Sequence, residues 1–407
     1  MSFQQGLSGL NAAAKNLDVI GNNVSNANTV GFKQSQAQFA DVYANSLTGA
    51  GGSNVGIGVK VAQVTQQFTQ GNITATNNPL DMAINGGGFF RMDNNGEVNY
   101  QRNGQFQLDK NGNIVNPTGA KLTGYVANAS GVLATGAPSP LVINTADLVP
   151  KITTHVNAVL NLDSGSAIPT TTPFNINDPT TFNSSTAVSV FDSLGNSQTL
   201  QTYFVKTATP GQWQVYASSD GTQIGAAPVA TLNFNTSGAL TTAMPLAGIN
   251  VPATAAGATT PFPVIFDYTG TTQFGSAFSV NTLNQDGYTS GRLAGFNIGS
   301  DGTILGRYTN GQSAVLGQVV LANFANPNGL QQMGNNMWAE TATSGTPLVG
   351  TPDSGSLGVL QSSAVEDSNV DLTAELVNMI TAQRVYQANA QTIKTQDQVM
   401  QTLVNLR

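Results

Sequence analysis

The 407-residue sequence predicts an α+β multidomain fold, with long terminal coiled-coil-like helices and two mainly antiparallel β domains between them, the outer one inserted in the inner one. Three observations predict it. Apolar residues follow a heptad pattern at both ends of the chain, Asn-Gly and Asp-Gly dipeptides recur through the middle, and the prolines concentrate in one central stretch. A chain of this length can bury more than one hydrophobic core.

The first helix is predicted within residues 1–28. Its apolar residues alternate spacings of four and three, which is the seam of a heptad helix. The seam residues are Phe3, Leu7, Leu10, Leu17 and Val24, with Ala14 and Gly21 between them. Three glycines weaken this helix, because each costs about 1 kcal/mol relative to alanine. We therefore expect the seam to require partners, which other copies of the same chain would supply.

The second helical segment is predicted within residues 365–407, with a helix from about 368 to 405. Residues 359–407 contain neither glycine nor proline. Ser368 and Asp371 resemble a capping box at the helix start. At 1.5 Å per residue the helix would be on the order of 55 Å long. Its seam residues are Leu372, Leu376, Met379, Tyr386, Ile393 and Met400.

Between the helices the sequence predicts strands joined by tight turns. Asn-Gly and Asp-Gly dipeptides are typical of two-residue hairpin loops. Residues 76–148 and 283–358 share this pattern of short strands and turn dipeptides and are assigned to an inner β domain. Residues 149–282 hold 10 of the 17 prolines and are assigned to an inserted outer β domain. The glycine-rich range 29–75 is predicted to be a connector.

The composition disfavours several classes of function. Only 9% of the residues are charged and the net charge is −7, so a basic surface for nucleic acid is not expected. The chain has no cysteine and one histidine, His155, which leaves no basis for a thiol nucleophile or a multi-histidine metal site. We therefore predict no enzymatic activity and no cofactor. No secretory signal peptide and no run of 18 apolar residues is present, so membrane insertion is not expected.

Three consecutive glycines, Gly86, Gly87 and Gly88, raise the possibility of a phosphate-binding loop. Such a loop follows a strand and opens a helix, so that backbone N–H groups face the anion. A strand is predicted before the glycines, but Phe89 and Phe90 lead into further hairpins. The sequence therefore favours a structural turn that places the two phenylalanines in the core of the inner β domain.

Several stretches resemble the bacterial flagellar rod and hook family of axial proteins. Four of them, in the order found in that family, are Ser2–Lys33, Asn78–Phe90, Tyr100–Tyr125 and Asn369–Met400. The stretch Val190–Lys206 is similar to the outer domain of the hook members of the family. Residues 207–282 match less clearly.

The resemblance implies a structural subunit that assembles with copies of itself into a curved tubular polymer, the universal joint that passes motor torque from rod to filament. In this family the terminal helices form the inner tube and the β domains the outer shells. The implied partners are the distal rod protein, the hook cap scaffold protein, the hook–filament junction protein and the flagellar type III export apparatus. Phe39 and Tyr43 resemble the family's export recognition motif. The implied location is the hook, outside the cell, reached without a cleaved signal peptide.

Other functions remain open from the sequence. A distal rod protein of the same family is the first alternative, but such subunits are typically shorter, and the insertion at 149–282 favours the hook. A junction protein is usually longer. A β-rich adhesin or hydrolase would need an aromatic sugar platform or clustered carboxylates, and the sequence predicts neither.

Overall fold

The computed structural model describes residues 2–42, 56–128 and 131–405. Helix α1 (Ser2–Ser25) opens the chain and helix α2 (Leu372–Asn405) closes the described part. Strands lie between them, and nearly all of their pairings are antiparallel. The predicted combination of terminal helices with mainly antiparallel sheets is therefore confirmed.

The described residues contain 28 strands. The first ten in chain order are β1 (Ser35–Val42), β2 (Gly58–Gln66), β3 (Ile73–Ala75), β4 (Met82–Asn85), β5 (Phe89–Asn94), β6 (Glu97–Gln101), β7 (Gln107–Leu108), β8 (Ile114–Val115), β9 (Lys121–Val126) and β10 (Ser139–Pro140). The next nine are β11 (His155–Asn161), β12 (Ser184–Phe191), β13 (Ser197–Lys206), β14 (Gln212–Ser219), β15 (Thr222–Gln223), β16 (Ala230–Asn233), β17 (Ile249–Val251), β18 (Phe262–Asp267) and β19 (Ser279–Gln285). The last nine are β20 (Leu293–Ile298), β21 (Thr303–Tyr308), β22 (Ser313–Val319), β23 (Leu321–Asn323), β24 (Gln331–Gly334), β25 (Met337–Ala339), β26 (Leu348–Gly350), β27 (Val359–Ser362) and β28 (Ala364–Glu366).

The chain divides into two compact units. The first comprises Met1–Asn144, Gly295–Gly306 and Ser313–Arg407. The second comprises Thr145–Ala294 and Arg307–Gln312. The first unit thus contains both helices and both chain ends.

The first unit is built on a large sheet with the central order β22-β9-β5-β6-β25-β24. Its core includes an aromatic cluster. Phe89 packs edge to face against Phe68, Phe324 and Trp338, with ring centroids 5.5 to 5.9 Å apart. Edge-to-face packing is the geometry that aromatic pairs prefer. Two smaller pairings, β27 with β4 and β28 with β3, bring the segment before α2 alongside the strands that follow α1.

The second unit contains two sheets that share one core. One sheet has the order β17-β18-β11-β19, and the other has the order β12-β13-β14-β15 with β16 beside β14. Strands β11 and β18 are parallel, an exception to the antiparallel pattern. The core draws on both sheets, and its largest buried side chains include Phe204, Trp213, Phe262, Phe266 and Tyr268. Burial of this apolar core, aliphatic and aromatic together, stabilises the unit.

Several turn dipeptides join paired strands as expected. Asn95 and Gly96 have φ angles of 55° and 95° and connect β5 with β6. Asp220 and Gly221 connect β14 with β15 in the same way. The dipeptide at 103–104 is different. A Cβ on Gly104 would lie 1.6 Å from the Met82 carbonyl oxygen, so this glycine permits a close backbone approach and does not form a hairpin loop.

Two local details differ from the sequence prediction. The cap of α2 is Asp371 and not Ser368, because Asp371 Oδ1 accepts from the N–H groups of Thr373 and Ala374 at 2.9 and 3.1 Å. The range 29–75, predicted as a connector, holds the hairpin of β1 and β2 and also β3 in its described part. The β-branched residues Val59, Val61, Val64 and Thr65 of β2 favour a strand, whereas the glycines of this range suggested a connector.

Candidate functional site

The two terminal helices pack against each other and run antiparallel. A Cβ on Gly6 would lie 3.1 Å from Ile393 Cγ1, and a Cβ on Gly9 would lie 2.6 Å from Asn389 Oδ1. Residue numbers therefore rise along one helix as they fall along the other. Because glycine has no side chain, the two backbones can approach closely at these positions.

The face of α1 that is buried within the chain is not the predicted seam. It combines the small residues Gly6, Ala12 and Ala13 with Val19, Ile20 and Asn23. Of the seam, Phe3 and Leu7 are 51% and 44% exposed, and Leu10, Leu17 and Val24 are half-buried. The heptad rule selected Phe3 and Leu7, which are exposed, whereas the intrachain contact includes glycines that let the helices approach.

The predicted seam residues of α2 are also partly half-buried and partly exposed. Met379 and Ile393 are half-buried, and Ile393 faces Gly6 of α1. The other predicted seam residues, Leu372, Leu376, Tyr386 and Met400, are exposed. Further apolar side chains on the exposed surface of this helix include Val377, Ile380, Val385 and Val399. Both helices therefore carry large apolar groups that nothing in the described part of the chain covers.

The β1–β2 hairpin lies beside α1. The side-chain amide of Asn23 donates to the Ser35 carbonyl at 2.8 Å, and Asn23 Oδ1 accepts from the Ser35 N–H at 2.9 Å. This reciprocal pair attaches the end of the helix to the start of β1. Phe39, one of the two residues of the suggested export motif, is on β1 and 43% exposed. Tyr43, the other, lies outside the described residues.

The three glycines form the turn between β4 and β5. Gly86 and Gly88 have φ angles of 113° and 115°, a region that favours glycine. Phe89 and Phe90, which follow directly, are buried. The β4 strand pairs with β27, while β5 pairs with β6 and β9. The glycines thus redirect the chain from one pairing to another.

A buried charge cluster, which we define as Lys33, Arg102 and Glu366, joins distant parts of the first unit. Glu366 Oε1 accepts from Lys33 Nζ at 2.6 Å, and Glu366 Oε2 accepts from Arg102 Nη1 at 3.0 Å. All three residues are at most 4% exposed. Lys33 follows α1, and Glu366 precedes α2. The cluster therefore connects the segment after α1 and the segment before α2 to the end of β6, which Arg102 follows.

Backbone groups complete this cluster. Lys33 Nζ also donates to the Thr69 carbonyl at 2.7 Å, and Arg102 Nη2 donates to the Gly86 carbonyl at 2.6 Å. Two cations surround one carboxylate, and carbonyl dipoles stabilise the remaining positive charge. Burial lowers the pKa of Lys33 and of Arg102, and the Glu366 carboxylate opposes part of that shift. Removing Glu366 would leave both buried cations without their partner, whereas removing one cation would leave the other paired with the carboxylate.

Sequence reasoning did not find the charge cluster. Lys33 and Glu366 are 333 positions apart, and Arg102 lies in a hairpin-rich stretch with no unusual pattern. One signal in the sequence could have pointed to the cluster. Only 9% of the residues are charged, so a lysine or arginine near an apolar stretch is a candidate for a buried ion pair.

Within the described ranges, no group of three or more His, Asp or Glu side chains is arranged to hold a metal ion. His155 contacts Thr154 through its ring, and its backbone N–H donates to Asp286. In the same part of the chain, neither helix has the length and apolar character that crossing a membrane requires.

Four family models match the sequence. The description "Flagella basal body rod protein" covers residues 3–33, and "Flagellar hook protein FlgE/F/G D1 domain" covers residues 83–170. "Flagellar basal body protein FlaE D2 domain" covers residues 161–288, and "Flagellar basal body rod FlgEFG protein C-terminal" covers residues 361–406. Together the matches reach both helices and both units.

Whole-chain comparisons agree with these matches. The flagellar hook proteins FlgE of Salmonella typhimurium and Escherichia coli are each 47% identical to this chain, with all of both chains covered. The FlgE protein of Borreliella burgdorferi is 32% identical, over all of this chain and 99% of that protein. The crystal structure of Helicobacter pylori FlgE2 shares the fold, with a TM-score of 0.54 at 14% identity over 72% of this chain and all of that one. By its identity over the full length of these relatives, the chain belongs to the flagellar hook protein family.

Proposed function

We propose that this chain is the structural subunit of the bacterial flagellar hook, where many copies assemble into a curved tubular polymer that transmits torque from rod to filament. The observation that carries the proposal is the pair of terminal helices with large exposed apolar side chains, such as Phe3, Leu376 and Ile380, in a chain of the hook family. Exposed apolar surface of this kind marks an interaction site. A polymer of the same chain would cover it.

The helices would form the innermost layer through coiled-coil-like contacts between neighbouring copies. A heterologous contact that does not close on itself generates a helical filament, so one repeated contact is sufficient to build a tube. The predicted seam residues on α1 and α2 are the ones we expect to meet a neighbour. The second unit, Thr145–Ala294 with Arg307–Gln312, would form an outer domain inserted in the inner one, for which the sequence predicted the range 149–282.

Bending would arise from the composition of the outer surfaces. Only 9% of the residues are charged, and many of the rest are Asn, Gln, Ser and Thr. Contacts between such groups can be exchanged for water at low net cost, because a typical hydrogen bond contributes about 1 kcal/mol. Neighbouring copies could therefore slide past one another as the hook rotates.

The proposed partners follow from this location. They are other copies of the chain, the distal rod protein, the hook cap scaffold protein, the hook–filament junction protein and the type III export apparatus. Export would use Phe39 and Tyr43 and would place the chain outside the cell without a cleaved signal peptide. We expect no association with nucleic acid and no membrane insertion.

Electron microscopy of polymer grown from purified protein tests the proposal. We expect curved, flexible tubes. Straight and rigid tubes would favour a distal rod protein instead, and a chain that stays monomeric at high concentration would contradict both assignments. Amide exchange before and after polymerisation should show increased protection at Leu7 and Leu376.

A further inference from the structure

A groove of about 870 Å³ lies between α1, α2 and the β1–β2 hairpin. Its walls combine small and apolar side chains, such as Ala13, Ile20 and Ala382, with polar groups such as Asn16. Packed interiors contain few voids larger than a water molecule, so a groove of this size beside exposed apolar helices is a candidate site for another chain.

One carboxylate oxygen in the groove lacks a hydrogen-bond partner within the described residues. Glu375 is 3% exposed, and its Oε1 accepts from Gln34 Nε2 at 2.5 Å. Its Oε2 has no hydrogen-bond partner within the described residues. A buried oxygen without a donor is unfavourable, and more so in a charged group, because its lost hydration is not replaced. The groove therefore favours an occupant that brings a cationic donor.

The opposite face of α2 carries such a donor. Arg384 follows Glu375 by nine positions, which is two and a half turns at about 3.6 residues per turn, so the two point in opposite directions from the helix axis. Arg384 is exposed and forms no ion pair within the described residues. Val377 and Ile380 flank it on the same face and are 58% and 52% exposed. This face presents apolar side chains beside one cation, whereas the groove presents apolar and polar side chains beside one carboxylate.

We propose that the groove receives the outer face of α2 from a second copy of this chain, with Arg384 of the partner subunit donating to Glu375. The Glu375 side chain must rotate toward the groove opening to meet it. Because the donor and the acceptor lie on opposite faces of one helix, the contact is head to tail and can repeat without closing. The inference rests on the proposed polymer and identifies one contact within it.

A double-mutant cycle on the full-length chain tests the contact. The measured quantity is the concentration of unpolymerised protein at equilibrium with polymer, read by sedimentation. Glu375→Gln and Arg384→Gln should each raise it about tenfold, and the double variant should also raise it about tenfold, since both remove the same pair. Glu375→Gln keeps an acceptor for Gln34, and Arg384→Lys should retain part of the contact.

Lys394→Gln is the matched control, because it removes the same charge from α2 on a different face. Its effect should add to that of Glu375→Gln. If the Glu375 and Arg384 substitutions are also additive while the unchanged chain polymerises normally, the inference is wrong and the proposed function stands. A wild-type chain that forms no polymer overturns both.

Cross-linking provides a second measurement, since the native chain has no cysteine. Chains with Asn16→Cys, in the groove, are mixed with chains with Ile380→Cys, on the outer face. With copper phenanthroline added as the oxidant of the two thiols, we expect a mixed disulfide in the polymer and none in the soluble chains. Gln383→Cys, about 100° around the helix from Arg384, should give much less. An equal yield from Gln383→Cys, or a polymer without mixed disulfide, contradicts the contact.

Discussion

At the level of single residues, the three glycines at 86–88 have unequal roles. Gly86 and Gly88 hold positive φ angles of 113° and 115°, whereas Gly87 does not. A Cβ on Gly87 would approach the Ser356 carbonyl oxygen to 3.1 Å. The conformational requirement therefore lies at the two outer glycines, although the sequence alone drew attention to the whole triplet.

We expect Gly88→Ala to lower the free energy of unfolding by about 1 to 3 kcal/mol, because alanine is strained at this φ. Gly87→Ala should have a smaller effect. Urea unfolding of the first unit measures both. Gly136→Ala is the control, since a Cβ there meets nothing within 4 Å. Equal stability of Gly88→Ala and Gly136→Ala would show that the turn tolerates a side chain.

The buried charge cluster makes a stronger prediction. Glu366→Gln removes the carboxylate between Lys33 and Arg102 and leaves both cations buried. Breaking a buried pair in this way destabilises a protein by about 3 to 5 kcal/mol. The control is Asp367→Asn at the neighbouring position, whose side chain accepts an exposed hydrogen bond from Thr74. Urea unfolding that gave the same small change for both variants would refute the structural importance of the cluster.

Asp286 in the second unit should contribute to stability in a pH-dependent way. Burial acts to raise the pKa of its carboxyl group, but hydrogen bonds from the His155 N–H, from Thr154 and from Lys151 lower this pKa well below its usual range. The resulting stabilisation is present above the unfolded pKa of about 3.9 and is lost as pH falls toward the folded value.

Asp286→Asn should therefore reduce stability at pH 7 and flatten its decline below about pH 4. Unfolding curves measured at several pH values test this expectation. Asp147→Asn, which removes a carboxylate 58% exposed in a 3.8 Å ion pair with Arg292, serves as the comparison and should leave the profile nearly unchanged. A parallel pH profile for the two variants would contradict the role of Asp286.

At the level of secondary-structure elements, the helix pair depends on where its glycines lie. Gly9 faces Asn389 closely, whereas a Cβ on Gly21 would meet nothing within 4 Å. Gly21→Ala should stabilise the soluble chain by up to about 1 kcal/mol, because alanine favours a helix. Gly9→Ala should not be stabilised in this way, because the new Cβ would require the Asn389 side chain to move away.

Thermal unfolding followed by circular dichroism, together with amide exchange in α1, distinguishes the two glycine variants. If Gly9→Ala and Gly21→Ala stabilise the helix equally, the close approach between α1 and α2 is not a feature of the soluble chain. The comparison is matched, because both substitutions add one methyl group to the same helix.

In the molecule as a whole, most of the second unit can be removed at a defined place, because deleting residues 149–290 leaves only 145–148, 291–294 and Arg307–Gln312 of it. The Leu148 N–H donates to the Gly291 carbonyl at 2.7 Å, so these two positions can be joined by a short Gly-Ser linker. We expect the shortened chain to keep the first unit folded and to polymerise, because the helices remain. Electron microscopy should show tubes of altered curvature and stiffness. Unchanged curvature would contradict a role of the second unit in bending.

Local sequence patterns were sufficient to predict the helical ends, the antiparallel middle and the family. They are heptad spacing, turn dipeptides whose φ angles glycine supplies, and motif order along the chain. These patterns predict the structure well because they reflect interactions between residues that are close in sequence. The same information could not place Asn103 and Gly104, where a glycine serves a distant backbone approach.

Contacts between residues far apart in the sequence were determined instead by the tertiary structure. Folding buried a face of α1 that combines small residues with Val19 and Ile20 and left Phe3 and Leu7 exposed, because closely packed helices need room for their backbones. It also gathered Lys33, Arg102 and Glu366 into one cluster. Ion pairs between residues so far apart depend on how the strands bring them together, and no local pattern in the chain records that arrangement.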